Sequence, residues 1–144
     1  MKIICFHNPE EENGYLSNWY PSEFCIDEIH FTSMEQYMMY KKAMLFHDMG
    51  IASKILQTSD VAEIKRLGRA VSGYDENYWN GVRQIVVYQG LMAKFSQNEK
   101  LKNESVTKIR IRYRKQEYDF QKTMKRKGFV DTQNQLCIIR IWKI

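Results

Sequence analysis

The stretch FTSMEQYMMYKKA, residues 31–43, places a helix-start signal before a run of tyrosine, methionine and lysine. Two overlapping pairs have capping-box spacing, Thr32 with Glu35 and Ser33 with Gln36, so the helix is predicted to begin at Thr32 or Ser33. It should run to about residue 46. Glu35 is then either a capping carboxylate or a carboxylate that is free for chemistry, and spacing alone favours the cap.

The segments around this helix predict a helix-rich α+β fold with a small β component. EFCIDEIHF, residues 23–31, alternates around Asp27 and Glu28 in the manner of a tight hairpin. Asp60 and Glu63 form a further capping pair, and Gly68 is predicted to end that helix. The remaining predicted elements are helices at 49–56 and 75–98 and strands at 2–6, 106–115 and 136–144.

Length and composition indicate one globular domain, residues 1–144. Hydrophobic residues make up 44% and aromatic residues 13% of the chain, which excludes disordered and fibrous classes. No apolar run approaches the ~18 residues of a membrane span, and a secretion signal is not recognisable, so a cytoplasmic protein is expected. Cys5, Cys25 and Cys137 lack CxxC spacing, which favours free thiols, and no metal is expected.

Basic charge is concentrated at the end of the chain. Residues 1–98 hold 9 Lys and Arg against 12 Asp and Glu, a net of −3, and residues 99–144 hold 13 against 5, a net of +8. One face of the strand predicted at 106–115 is basic, and the segment holds these cations: Lys108, Arg110, Arg112, Arg114 and Lys115. They predict either a salt-dependent nucleic-acid contact or a charged edge strand that resists aggregation, and the edge strand is the commoner case.

Five separated blocks resemble the successive signatures of the NADAR, or YbiA-like, family, in order and in spacing, over about residues 6–101. They are YLSNWYPSEF (15–24), FTSMEQYMMYKKA (31–43), LGR (67–69), YWNGVR (78–83) and LMAKFSQN (91–98). The resemblance implies a compact, helix-rich α+β fold and an N-glycosidase without a cofactor. Its substrate would be a ribosylamino pyrimidine phosphate of the riboflavin pathway or ADP-ribosylated guanine.

The resemblance also implies roles for single residues. Glu35 matches the family's catalytic glutamate, and Gln36 stands where the family usually has histidine, which removes a titratable neighbour. Cleavage of a ribose-to-nitrogen bond develops positive charge at the anomeric carbon, which a carboxylate can stabilise, or it can take a proton from water. Aromatic, amide and cationic side chains would hold the base, a ribose hydroxyl or water, and the phosphate. The residues expected to bind substrate are Ser17, Asn18, Trp19, Lys41, Lys42, Arg69 and Trp79.

Residues 102–144 depart from the family's usual pattern. Trp142 is not followed by the expected glycine, and Gly128 is the only glycine of this segment. Either a change of reading frame after about Leu101 or a genuine replacement by a basic, β-rich tail would explain the change. An open active site and a weak, salt-sensitive affinity for polyanions are expected. The alternatives to an enzyme are a catalytically impaired binder of ADP-ribose-like ligands and a basic nucleic-acid-binding module.

Overall fold

A computed structural model describes residues 8–104 of the protein. A short 3-10 helix, Gly14–Leu16, precedes an antiparallel hairpin of β1 (Pro21–Ile26) and β2 (Ile29–Ser33). Four helices follow: α1 (Met34–Leu45), α2 (Met49–Leu56), α3 (Val61–Arg69) and α4 (Glu76–Gln97). The predicted α+β class is confirmed. Within residues 8–104, no helix has both the length and the apolar content that crossing a membrane requires.

The hairpin turns through Asp27 and Glu28, as the alternation of the sequence predicted. Phe24 pairs with Phe31 and Ile26 with Ile29, which leaves a two-residue connection. Both turn residues have positive φ, 53° for Asp27 and 65° for Glu28. Two positive φ values are typical of the type I′ turn that suits the twist of a hairpin, although glycine usually occupies its second position.

Replacement of Glu28 by glycine is therefore expected to stabilise the fold. Glycine relieves the left-handed conformation at a cost in unfolded-chain entropy, so the net gain should be about 0.5–1 kcal/mol in the free energy of unfolding. Urea denaturation of Glu28→Gly and wild type measures it. Glu23→Gly, at an exposed strand position, is the control and should destabilise. An unchanged or lower free energy of unfolding for Glu28→Gly would show that the positive φ of Glu28 does not strain the backbone.

Helix α1 occupies the centre of the described fold and packs against β2, α2, α3 and α4. The main core contains Phe24 and Phe31 from the hairpin and Tyr37 from α1, with ring centroids 5.1–6.0 Å apart. A second cluster joins the other side of α1 to α2 and α3 through Ala43 and Ile64. Because α1 contributes to both clusters, its polar side chains have fixed positions.

The prediction that Gly68 ends its helix was wrong. Helix α3 continues through Gly68 to Arg69, and Ala70 is the C-terminal cap residue. A Cβ atom at Gly68 would collide with the Met39 side chain, so this glycine allows α1 and α3 to approach closely. Gly90 does the same between α4 and α1, where a Cβ would lie 2.6 Å from Tyr37 Cδ1. Long-range packing selects glycine at both positions.

The last turn of α4 is fastened to β1 by two side-chain amides. Gln97 donates through Nε2 to Cys25 O and accepts from Cys25 N, both at 2.8 Å. Asn98 Nδ2 donates to Glu23 O and to Lys94 O at 2.9 and 2.8 Å. These bonds fix the register of α4 against the hairpin. The strands predicted at 2–6, 106–115 and 136–144, and with them the basic tail, lie outside the described residues.

Candidate active site

The capping question of α1 has a definite answer in the structure. Ser33 Oγ accepts a hydrogen bond from Gln36 N at 3.2 Å, and Gln36 Oε1 accepts from Thr32 N at 2.8 Å. The Ser33 and Gln36 pair therefore makes the cap, and the alternative pair of Thr32 and Glu35 does not form it. The carboxylate of Glu35 instead accepts a hydrogen bond from the side chain of Trp19.

The loop of residues 17–19 is built against Glu35. Asn18 O accepts from Glu35 N at 2.9 Å, and Asn18 Nδ2 donates to Met38 Sδ at 3.4 Å. Ser17 Oγ accepts a hydrogen bond from Trp19 N at 3.2 Å, and this bond closes a tight turn between the two residues. The sequence-predicted residues Ser17, Asn18 and Trp19 are thus brought together with Glu35 by hydrogen bonds.

Two cations of α3 act on the Glu35 carboxylate. Burial of Glu35, which is 7% exposed, raises its pKa, while Lys65, the Trp19 hydrogen bond and Arg69 lower it, Lys65 most strongly. Lys65 and Arg69 are four residues apart and so lie on one side of their helix. The Lys65 ammonium lies 5.1 Å from the centroid of the Trp19 ring. The site thus combines a buried carboxylate, an aromatic ring and two positive charges.

Lys65 was not among the predicted site residues. Arg69 was predicted from the LGR block, and the four-residue spacing on a predicted helix could have indicated that Lys65 shares its side. The sequence has no signal for its distance from Trp19, because that distance depends on how α3 packs on α1.

Lys42 is buried, and its ammonium group contacts a backbone carbonyl and an aromatic ring. A helix rotates by about 100° per residue, so Lys42 returns to the side of Glu35 two turns later. Its Nζ donates to Gly68 O at 2.7 Å and lies 3.9 Å from the centroid of the Tyr74 ring. Burial lowers the pKa of Lys42. These contacts tie α1 to the end of α3, beside Arg69.

Two other predicted residues are not joined to Glu35 by any hydrogen bond or ion pair within residues 8–104. The Lys41 ammonium lies 4.0 Å from the Asp27 carboxylate in the hairpin turn. Trp79 is 5% exposed and belongs to the main core. The roles of Lys41 in phosphate binding and of Trp79 in base stacking stay predictions.

Comparison with known proteins places this geometry in a family context. A family model described as NADAR domain matches residues 5–108. An N-glycosidase of Acanthamoeba polyphaga mimivirus is 35% identical over 108 residues, which is 69% of this chain and 64% of that protein. A riboflavin biosynthesis protein of Vibrio vulnificus is 30% identical over 101 residues, 70% of this chain and 27% of that protein.

A third relative and a solved structure match the same part of the chain. Protein irg-1 of Caenorhabditis elegans is 37% identical over 100 residues, 58% of this chain and 47% of that protein. The NMR structure of the E. coli protein YbiA has a TM-score of 0.58 and 26% identity, and the match covers 67% of this chain and 55% of that chain. Each match spans less than two thirds of the relative's own length. With a family model that covers well over half of its residues, the chain belongs to the NADAR domain family.

Proposed function

We propose that the protein is an N-glycosidase that hydrolyses the bond between a ribose and a base nitrogen, with Glu35 as the catalytic carboxylate. The observation that carries the proposal is that Glu35 is buried, bonded by Trp19 and unused by the helix cap. Membership of the NADAR family and the name of the mimivirus relative support it. A ribosylamino pyrimidine phosphate fits the name of the Vibrio relative, and ADP-ribosylated guanine is the other substrate class.

The site suits the charge that this reaction develops. Departure of the base leaves positive charge at the anomeric carbon, and an ionised Glu35 can stabilise it or take a proton from the attacking water. The Trp19 bond orients the carboxylate before substrate binds, so little reorganisation is needed in the transition state. Lys65 and Arg69 place two positive charges near Glu35, and a substrate phosphate could form ion pairs with them. Trp19 also offers a ring face against which a base could stack.

Incubation with a panel of N-ribosides tests the proposal. The panel contains ribosylamino pyrimidine phosphate, its dephosphorylated form and ADP-ribosyl-guanine nucleic acid, and mass spectrometry detects free base and free ribose product. Release of both products from at least one compound, at a rate that falls in Glu35→Gln, is expected. Tight binding of a ligand without base release would contradict the enzyme and identify a binder of ribosylated ligands.

The pH dependence of turnover should report the ionisation of Glu35. Because burial raises its pKa above 4.5, the acid limb of kcat/KM is expected above that value, with activity rising as Glu35 ionises. Lys65 favours the ionised form, so Lys65→Met should move the limb to higher pH, whereas Lys65→Arg should leave it in place. A limb that stays in place in Lys65→Met would contradict the electrostatic role of Lys65, whatever happens to the maximal rate.

A further inference from the structure

Lys94 of α4 is a fully buried lysine, with 0% of its surface exposed. Its Nζ donates to Tyr15 O at 2.7 Å and to Ser17 O at 3.0 Å, and the Tyr20 ring centroid lies 5.5 Å away. Within residues 8–104, no carboxylate forms an ion pair with it. Burial lowers its pKa to about 7. A buried ammonium without a carboxylate partner is costly, so its backbone acceptors must compensate.

The two carbonyl groups that Lys94 holds lead directly to the proposed active site. Tyr15 and Ser17 immediately precede Asn18 and Trp19, and these two residues hydrogen-bond to the backbone and to the carboxylate of Glu35. Lys94 is therefore connected to Glu35 through one short loop, with two hydrogen bonds to Lys94 and two to Glu35. Carbonyls that converge on a cation would splay apart if the cation were removed.

Helix α4, which carries Lys94, is itself anchored to the rest of the fold on both sides of this residue. One helical turn after Lys94, the side chains of Gln97 and Asn98 hydrogen-bond to the backbone of β1. One turn before Lys94, Gly90 lies against Tyr37 of α1. A long side chain from such a helix can hold a loop at a defined distance from the core. Lys54 of α2 is exposed to solvent and serves as a control position.

We propose that Lys94 is a positioning residue of the N-glycosidase site, whose ammonium holds the loop of residues 15–19 so that Asn18 and Trp19 meet Glu35. The proposal rests on the proposed function for its effect on turnover, and on the loop geometry alone for its effect on structure. Lys94 acts through the loop. Its removal should therefore lower kcat, because the Trp19 bond no longer orients the Glu35 carboxylate, and should raise KM, because Trp19 no longer offers its ring to the base.

Amide hydrogen exchange tests the structural part without any substrate. In wild type, the Glu35 amide is bonded to Asn18 O, and the Ile64 amide, bonded to Asp60 O at 2.8 Å, reports on the second core cluster. In Lys94→Met, exchange at Glu35 should be at least about tenfold faster relative to Ile64. Equal acceleration of both amides, or no change at Glu35, would overturn the proposal. Lys54→Met should change neither amide.

A second buried lysine supplies a matched comparison. Lys42→Met also removes an ammonium from a backbone carbonyl, that of Gly68, and should lower overall stability while keeping the exchange ratio of Glu35 to Ile64 near that of wild type. If Lys94→Met does not fold, Lys94→Gln takes its place. Its amide is polar but one atom shorter, so it cannot reach both carbonyls, and the same change of ratio is expected.

Kinetics then test the functional part with the substrate that wild type cleaves. Lys94→Met is expected to reduce kcat by about 10- to 100-fold and to raise KM as well, because the displaced loop carries Trp19. An unchanged kcat in a variant whose Glu35 amide exchanges faster would refute the positioning role. If wild type cleaves nothing, the proposed function fails and the exchange result still decides whether Lys94 holds the loop.

Discussion

Replacement of Glu35 by glutamine is expected to lower turnover by about 100-fold or more, as loss of a positioned catalytic carboxylate does. Glutamine has nearly the same size and can accept a hydrogen bond from Trp19, so the loop of residues 17–19 should keep its position. It cannot carry the negative charge that stabilises the anomeric carbon or takes a proton from water. Single-turnover measurement of base release on the substrate found in the panel gives the ratio.

The stability of the same variant separates chemistry from folding. Because the folded-state pKa of Glu35 lies above 4.5, its contribution to stability is fully present below pH 4.5 and is lost as pH rises through the folded-state pKa. Glutamine stays neutral at every pH, so Glu35→Gln should be at least as stable as wild type at pH 7. Near-normal turnover in this folded variant would eliminate Glu35 as the catalytic residue.

Replacement of the next residue, Gln36, by leucine is expected to destabilise the protein by about 2–4 kcal/mol. Gln36 is 2% exposed, and its amide bonds to Thr32 N, to Ile55 O at 3.0 Å and to Thr58 O at 2.8 Å. Leucine has a similar volume but leaves these backbone groups without their partner. Urea denaturation measures the loss of free energy of unfolding.

The exposed Gln57 provides the control for this prediction, since its side-chain amide donates a hydrogen bond to Ser53 Oγ and to no backbone carbonyl among the described residues. Gln57→Leu should change the free energy of unfolding by no more than about 0.5 kcal/mol. A Gln36→Leu variant as stable as Gln57→Leu would show that the buried amide is replaceable. The Gln36 side chain is instead used by the backbone at the start of α1, at Thr32 N, and at the end of α2, at Ile55 O and Thr58 O.

Local sequence signals predicted the elements that local interactions determine. The predicted Asp60 cap begins α3, the helix predicted at 49–56 has the observed bounds of α2, and the alternation around Asp27 and Glu28 gives the hairpin. The choice between two overlapping capping pairs at the start of α1 was open, because both have the same spacing. The pair of Ser33 and Gln36 forms the cap because the Gln36 amide also binds Ile55 O and Thr58 O at the end of α2, and local spacing cannot reveal that contact.

The residues that sequence reasoning missed are those whose role depends on distant parts of the chain. Lys94 has an ordinary position in an amphipathic helix, yet it contacts carbonyls 77 and 79 residues earlier. Glycine often ends helices, which predicts a stop at Gly68, but contact with Met39 determines the identity of this residue. The family resemblance supplied Glu35 and the loop of residues 17–19, which composition and periodicity could not distinguish from packing residues.

The paired amide bonds of Gln97 have a consequence for association between molecules. In a two-stranded sheet, each strand presents one row of backbone groups that could pair with a strand of another chain. At Cys25 the Gln97 side chain supplies both the donor and the acceptor that such a strand would offer. An invading peptide must first displace this amide from β1. Within residues 8–104, one glutamine at the end of a helix thus occupies the backbone groups of β1 at Cys25 that a strand of another molecule would need.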